Sequence, residues 1–169
     1  MADGSIDGWA TLTVIPGGVC GSIGKTVIGA SSGSGILWTQ VVDSNTTAIV
    51  VTEDGDVGMV GTSNSLYALS MKLGIVTSSL PYPVASMVVQ NSTVLAAGAN
   101  GSLVSIDVHT GLPTGTVQGI CTSLLTIAPD CTLLCFDATT NTVYRYNTSV
   151  TDPTTFVMWA LRISNWLSC

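Results

Sequence analysis

The sequence predicts an all-β chain built from about four similar four-stranded sheets, and three observations lead to this fold class. Short runs of apolar and β-branched residues alternate with glycine, asparagine and aspartate turns, as they do between the strands of a sheet. One strand-and-turn unit recurs about every 30 to 40 residues, an interval typical of repeat arrays. Only 8% of the residues are charged and 46% are hydrophobic, so Ser and Thr must supply most of the surface polarity.

The repeat is clearest in segment 100–113, whose sequence is NGSLVSIDVHTGLP. It combines an Asn-Gly hairpin turn, a strand and a second turn that closes at Gly111. Aligned on Gly111, the other copies place Gly35, Gly74 and Asn141 at the same point, with intervals of about 39, 37 and 30 residues. The strands before these turns also align, namely 26–30, 65–69, 102–106 and 132–136.

This repeat resembles the blade of quinoprotein-type (PQQ-like) β-propellers, in which a strand, an Asp and a Thr-Gly turn precede the final strand. The segments that carry the resemblance are 102–111, 66–69 with Gly74, 136–137 with Asn141, and 35–38. Ser31 and Ser70 stand where the family pattern has Asp, and WD40-like propellers share the same skeleton. The resemblance implies a β-propeller-like array of about four four-stranded blades, either closed into a ring or left partial and open.

The predicted strands fall into four groups along the chain. The first group contains 9–15, a strand pair within 19–29, and 36–42. The later groups contain 48–51, 57–60, 65–69 and 75–77, then 85–89, 93–97, 103–107 and 114–118, and finally 123–128, 132–137 and 142–146. We expect the repeats to occupy residues 1–153, and the apolar tail 154–169 to form either a closing strand or a short helix.

The charge of the chain argues against two classes of partner, nucleic acids and anionic lipids. The net charge is −6, and the four basic residues, Lys25, Lys72, Arg145 and Arg162, lie far apart, which argues against binding to nucleic acid or to anionic lipid. No apolar run reaches the roughly 18 residues that would span a bilayer. A weakly charged surface offers little repulsion between copies, so self-association into homo-oligomers or filaments is favoured.

Four asparagines lie in the acceptor pattern for N-glycosylation: Asn45, Asn91, Asn100 and Asn147. All four fall in predicted turns, where an attached glycan would project into water. The alternative is that Asn, Ser and Thr simply gather in turns. Glycosylation would make the chain an extracellular or secreted glycoprotein.

The five cysteines leave the redox compartment open. Cys131 and Cys135 lie four apart in a predicted strand, which places their Cα atoms about 13 Å apart, too far for a disulfide. Pairing of Cys20 with Cys121 stays open. The odd count leaves one thiol free or joined to a partner chain, and Cys169 at the terminus is the candidate for an intermolecular bond.

No group of residues predicts catalysis, a cofactor or a metal. Segment 18–26 resembles a phosphate-binding loop but has one residue too many and no helix pattern after it. The acidic segment 53–56 is shorter than a calcium loop and is typical of a hairpin turn. His109 is the only histidine and lies in a predicted turn, so we expect it to be solvated.

The sequence therefore predicts a non-catalytic, extracellular propeller module that is structural or binds a protein partner, including its own copies. One alternative is a fragment of a larger quinoprotein-like enzyme whose cofactor site lies elsewhere. Another is a carbohydrate-binding propeller that uses exposed aromatic rings, for which the candidates are Trp38, Tyr67, Tyr82 and Tyr146.

Overall fold

The strands form four antiparallel four-stranded sheets, each a simple meander in chain order. The computed structural model describes residues 9–15, 17–90, 92–117, 125–128, 132–137, 140–146 and 157–162. Sheet 1 contains β1 (Trp9–Ile15), β2 (Gly18–Ile23), β3 (Thr26–Ser31) and β4 (Gly35–Val41), and sheet 2 contains β5 (Thr46–Val51), β6 (Val57–Thr62), β7 (Leu66–Ser70) and β8 (Ile75–Leu80). Sheet 3 contains β9 (Val84–Gln90), β10 (Thr93–Gly98), β11 (Leu103–Asp107) and β12 (Pro113–Val117), and sheet 4 contains β13 (Leu125–Ile127), β14 (Leu133–Asp137), β15 (Thr142–Tyr146) and β16 (Val157–Arg162).

This architecture confirms the predicted all-β array of about four blades. The described residues contain no helix long and apolar enough to cross a membrane. Strand β16 lies in the tail for which the sequence left strand and helix open, and it pairs with β15 as the fourth strand of sheet 4.

The sheets are arranged as blades around a common axis. The first strands of successive sheets are neighbours, because β1 contacts β5, β5 contacts β9, and β9 contacts β13. No comparable contact joins sheet 4 to sheet 1 within the described ranges. The four sheets therefore form an array with sheet 1 at one end and sheet 4 at the other.

Three apolar cores hold the array together, one between each pair of consecutive sheets. Side chains alternate along every strand, so each inner sheet contributes one set to the core on either side. Sheets 1 and 2 bury Cys20, Val27, Val42, Ile49, Val51, Val60, Leu69 and Met71. Sheets 2 and 3 bury Met59, Leu66, Ala68, Val84, Met87, Val94, Ala96, Val104, Ile106 and Val108, and sheets 3 and 4 bury Leu95, Ala97, Leu103, Leu133 and Cys135. Each large apolar side chain buried in this way contributes about 1.5–3 kcal/mol.

The repeat alignment is correct for three sheets and wrong for the fourth. Gly35, Gly74 and Gly111 each have positive φ, 74°, 68° and 67°, and lie at the turn between the third and fourth strands of their sheets. Asn141 also has positive φ, 52°, but it lies between the second and third strands of sheet 4. The aligned segment 132–136 accordingly belongs to a second strand, whereas its three counterparts belong to third strands. This shift by one strand accounts for the shorter last interval.

Trp38 joins sheet 1 to sheet 2. Its ring lies between Gly29, its cross-strand neighbour on β3, and Gly74 in the β7–β8 turn, and a Cβ atom at either glycine would overlap the ring. The indole Nε1 donates a hydrogen bond of 2.6 Å to the backbone oxygen of Met71. A large ring is accommodated here because both flanking residues lack a side chain.

The link between β4 and β5 is tied to a turn of sheet 2. The Asp43 carboxylate accepts hydrogen bonds from the hydroxyls of Thr62, at 3.0 Å, and Ser65, at 2.9 Å. Desolvation acts to raise the pKa of Asp43, but the hydrogen bonds that its carboxylate accepts hold the pKa below its usual value. The ionised form therefore orders the link and the turn together.

Replacing Asp43→Asn is expected to lower the melting temperature by a few degrees at pH 7. A carboxyl whose pKa is depressed on folding contributes stability above its unfolded pKa of about 3.9, and that contribution is lost as the pH falls through the folded pKa. The difference between wild type and variant should therefore shrink below about pH 4. Thermal unfolding followed by circular dichroism from pH 7 to pH 3 measures this, with Glu53→Gln, an exposed turn carboxylate, as control. An equal difference at both pH values would contradict the assignment.

Candidate interaction surface

Sheet 1 has an uncovered apolar face, which we call the open face of sheet 1. Side chains Thr13, Cys20 and Val27 point toward sheet 2, so their neighbours in each strand point the opposite way. The cross-strand register places on this opposite face Val14, Val19, Ile23, Thr26, Ile28, Ala30, Ile36, Thr39 and Val41. None of these residues is charged.

The exposure of this face is unusual for its composition. Val14 is 78% exposed, and Ile36 and Val41 are each 66% exposed. The corresponding face of sheet 2 packs against sheet 1, and there Ile49 and Val60 are only 3% and 1% exposed. Part of a face that forms a core in sheet 2 is thus exposed in sheet 1, and exposed apolar patches of this kind are candidate interaction surfaces.

Sheet 4 carries the opposite end of the array, and we call its side away from sheet 3 the outer face of sheet 4. Cys135 and Tyr144 pack toward sheet 3, so the alternating positions belong to the outer face. Its described side chains are Thr126, Leu134, Phe136, Val143 and Arg145. The side chain of Arg145 is held by a 2.9 Å hydrogen bond from its Nε to the hydroxyl of Thr132.

The two described glycosylation candidates lie at the surface. Asn45 is exposed in the link between β4 and β5, and Asn100 is exposed in the turn between β10 and β11. The side-chain oxygen of Asn100 accepts hydrogen bonds from the backbone and the hydroxyl of Ser102, at 3.1 and 2.6 Å. Asn91, Asn147 and Cys169 lie outside the described residues.

The acidic turn 53–56 is held by hydrogen bonds to the side chain of Asp54. The Asp54 carboxylate accepts hydrogen bonds from the hydroxyl of Thr52 and the amide of Asp56, and these bonds lower the pKa of Asp54. Across the described part of the chain, no cluster of three potential ligands could hold a metal ion. Gly55 takes positive φ, 76°, as a hairpin turn requires.

His109 is exposed in the turn after β11. Asp107 organises that turn, because its carboxylate accepts hydrogen bonds from the amides of His109 and Thr110 and from the Thr110 hydroxyl. The bonds from Thr110 are the main reason that the pKa of Asp107 is lowered. The contacts of Asp107 are those of a turn-stabilising carboxylate, and His109 is a surface residue of that turn.

Three of the four aromatic rings considered for carbohydrate binding are committed to internal contacts. Trp38 is clamped between two sheets, and Tyr67 packs against the core of sheets 1 and 2. The hydroxyl of Tyr82 donates to the backbone oxygen of Ser102 at 2.9 Å. The expectation that these rings are exposed is therefore wrong, and the side chain of Tyr146 lies outside the described residues.

The cysteine pairing considered between Cys20 and Cys121 is also wrong, since Cys20 is a buried free thiol. Burial raises the pKa of this thiol to about 11, so it is protonated and unreactive at neutral pH. Cys135 is disulfide-bonded.

The chain is similar in fold to several solved structures, although it matches no family model and no curated protein. BamB from Moraxella catarrhalis superimposes with a TM-score of 0.73 and 16% identity, over 94% of this chain and 50% of that one. Hydrazine synthase from Kuenenia stuttgartiensis gives 0.77 and 14%, over 96% and 51%. The C-terminal WD40 domain of Sif2 gives 0.75 and 11%, over 90% and 46%.

These similarities define the class of fold, which is that of a PQQ-like or WD40-like β-propeller. At identities of 11–16% they establish the fold and nothing further. The chain spans about half the length of the solved structures it matches. Its four sheets thus correspond to about half of each of those larger molecules.

Proposed function

We propose that this chain is a non-catalytic β-propeller module that binds another protein through the open face of sheet 1. The single observation that carries the proposal is that a face buried in the neighbouring sheet is exposed here and carries no charge. Burying such a face costs little polar desolvation and removes apolar area from water at about 25 cal/mol per Å². A protein partner with its own apolar sheet face fits this surface best.

The proposed location is extracellular. The exposed Asn45 and Asn100 each begin an acceptor pattern for N-glycans, and a disulfide at Cys135 is typical of oxidising compartments. Attached glycans at the four candidate asparagines and an intermolecular bond at Cys169 belong to this proposal.

A second candidate function is that of one part of a larger quinoprotein-like enzyme. The observation in its favour is the coverage of about half of each similar structure, hydrazine synthase included. The intact mass of the protein, measured after removal of glycans, separates the two. A mass equal to that of the 169 residues would rule out the larger enzyme.

Site-specific photo-crosslinking tests the binding proposal. A photoreactive amino acid, p-benzoylphenylalanine, replaces Ile36 on the open face or, as a matched control, Leu112, another exposed apolar residue that lies in a turn of sheet 3. We expect irradiation to give a covalent protein adduct from position 36 and much less from position 112. Equal adducts from both positions, or none from position 36, would refute a binding role for this face.

A further inference from the structure

We propose that two copies of this chain close a ring of eight sheets, in which the open face of sheet 1 of each copy packs on the outer face of sheet 4 of the other. The inference rests on the proposed function, because it names the protein that the open face binds. Three observations support it: the size of the array, the open space next to the turn glycine Gly35, and the chemistry of the two faces.

The size of the array fits a half ring. The chain spans 46–51% of the length of three solved structures of similar fold, and a radial array needs its first and last sheets joined to bury their faces. Sheets 1 and 4 are the two ends, because within the described ranges each shares comparable strand contacts with one other sheet. A twofold axis between two copies supplies the missing half and makes both contacts identical.

The turn glycines of sheets 2 and 3 each contact the preceding sheet, and the equivalent contact is missing in sheet 1. The positive-φ turn glycine of sheet 2, Gly74, packs on Trp38 in the outer strand of sheet 1. The equivalent glycine of sheet 3, Gly111, packs on Ser78 in the outer strand of sheet 2. Gly35 is the same glycine in sheet 1, yet nothing lies within 4 Å of the position that its Cβ would take.

The missing contact indicates what belongs at the open face. In the two known cases the turn glycine meets the outer strand of the preceding sheet, so the equivalent neighbour of Gly35 is the outer strand of a further sheet. In the proposed ring that strand is β16 of the second copy. An unrelated partner would cover apolar side chains, but a propeller sheet alone reproduces the turn contact as well.

The two faces are compatible in charge. The open face of sheet 1 has no charged side chain, and the described outer face of sheet 4 has one, Arg145, which is already hydrogen-bonded. Although each chain carries a net charge of −6, no acidic residue lies on either face among the residues described. Leu134 and Val143 can therefore meet Val14 and Ile36 without burying an unpaired carboxylate.

The experiment is the native mass of the purified full chain at micromolar concentration, measured for wild type and four variants. Val14→Lys and Ile36→Lys alter the open face, Val143→Lys alters the outer face of sheet 4, and Leu112→Lys is the control. We expect wild type and the control to have about twice the mass of one chain. The three interface variants should be single chains with dissociation constants raised about 100-fold, since a lysine would be buried unpaired. Circular dichroism confirms that each variant is folded.

The other outcomes are distinct. If wild type is a single chain but position 36 still gives an adduct with a different protein, the ring is overturned while the binding function stands. A single chain that gives no adduct from position 36 overturns both. If all three interface variants remain dimers, the contact between copies lies elsewhere. If the wild type forms open-ended filaments, the four sheets do not make up half of a closed ring. Either result overturns the proposal.

Discussion

Replacing Gly74→Ala is expected to destabilise the chain by about 2–5 kcal/mol. The backbone at Gly74 has φ of 68°, where a side chain costs about 1–2 kcal/mol, and the new Cβ would overlap the ring of Trp38. Because Trp38 is held on its other side by Gly29, the ring cannot move away, and overpacking of this kind costs about 1–3 kcal/mol. Urea denaturation of the wild type and the variant measures the difference.

Gly17→Ala is the matched control for this prediction. Gly17 also has positive φ, 78°, but nothing lies within 4 Å of its Cβ position. It should lose only the backbone contribution of about 1–2 kcal/mol. If both variants were equally destabilised, the contact between Gly74 and Trp38 would contribute nothing to the joining of the two sheets.

Replacing Trp38→Ala is expected to cost about 3–5 kcal/mol, the second large effect. The substitution empties the space between Gly29 and Gly74 and removes the donor to the Met71 oxygen. Trp38→Phe keeps an aromatic ring but not the indole donor, so it should cost about 1–3 kcal/mol. Denaturant unfolding of both variants separates packing from hydrogen bonding.

Leu37 supplies the control for Trp38. It precedes Trp38 on β4 and is 57% exposed, so Leu37→Ala should change stability by no more than about 0.5 kcal/mol. A loss of stability at Leu37 as large as that at Trp38 would indicate that any side-chain truncation on β4 is harmful. It would then contradict a specific role for the packing of Trp38 between Gly29 and Gly74.

The sheets and most of their turns could be predicted from sequence because they depend on local chemistry. Turn glycines at positions 35, 74 and 111 mark the same bend in three sheets, as positive φ at that bend requires. The fourth copy does not align correctly because Asn141 has the same turn chemistry at a different bend. Residue type reveals that a bend needs positive φ, but it does not reveal which two strands the bend connects.

The interaction surface could not be predicted because it depends on which sheets are neighbours. Val19 and Cys20 are adjacent apolar residues of β2 that face opposite sides, and only the structure shows that one side is covered and the other is not. The usable signal was that sheet 1 is apolar on both faces. The sequence does not reveal that the Trp38 ring is enclosed, because its glycine neighbours are Gly29 on another strand and Gly74 in another sheet.

The chain of three cores has a consequence for how the molecule is made. Every core joins sheets that are consecutive in sequence, so each can form as soon as the next sheet leaves the ribosome, with a short loop to close. Within a single copy, the described cores place sheets 2 and 3 each against two sheets and the two end sheets each against one. Local opening of a single copy should therefore begin at the end sheets and proceed inward.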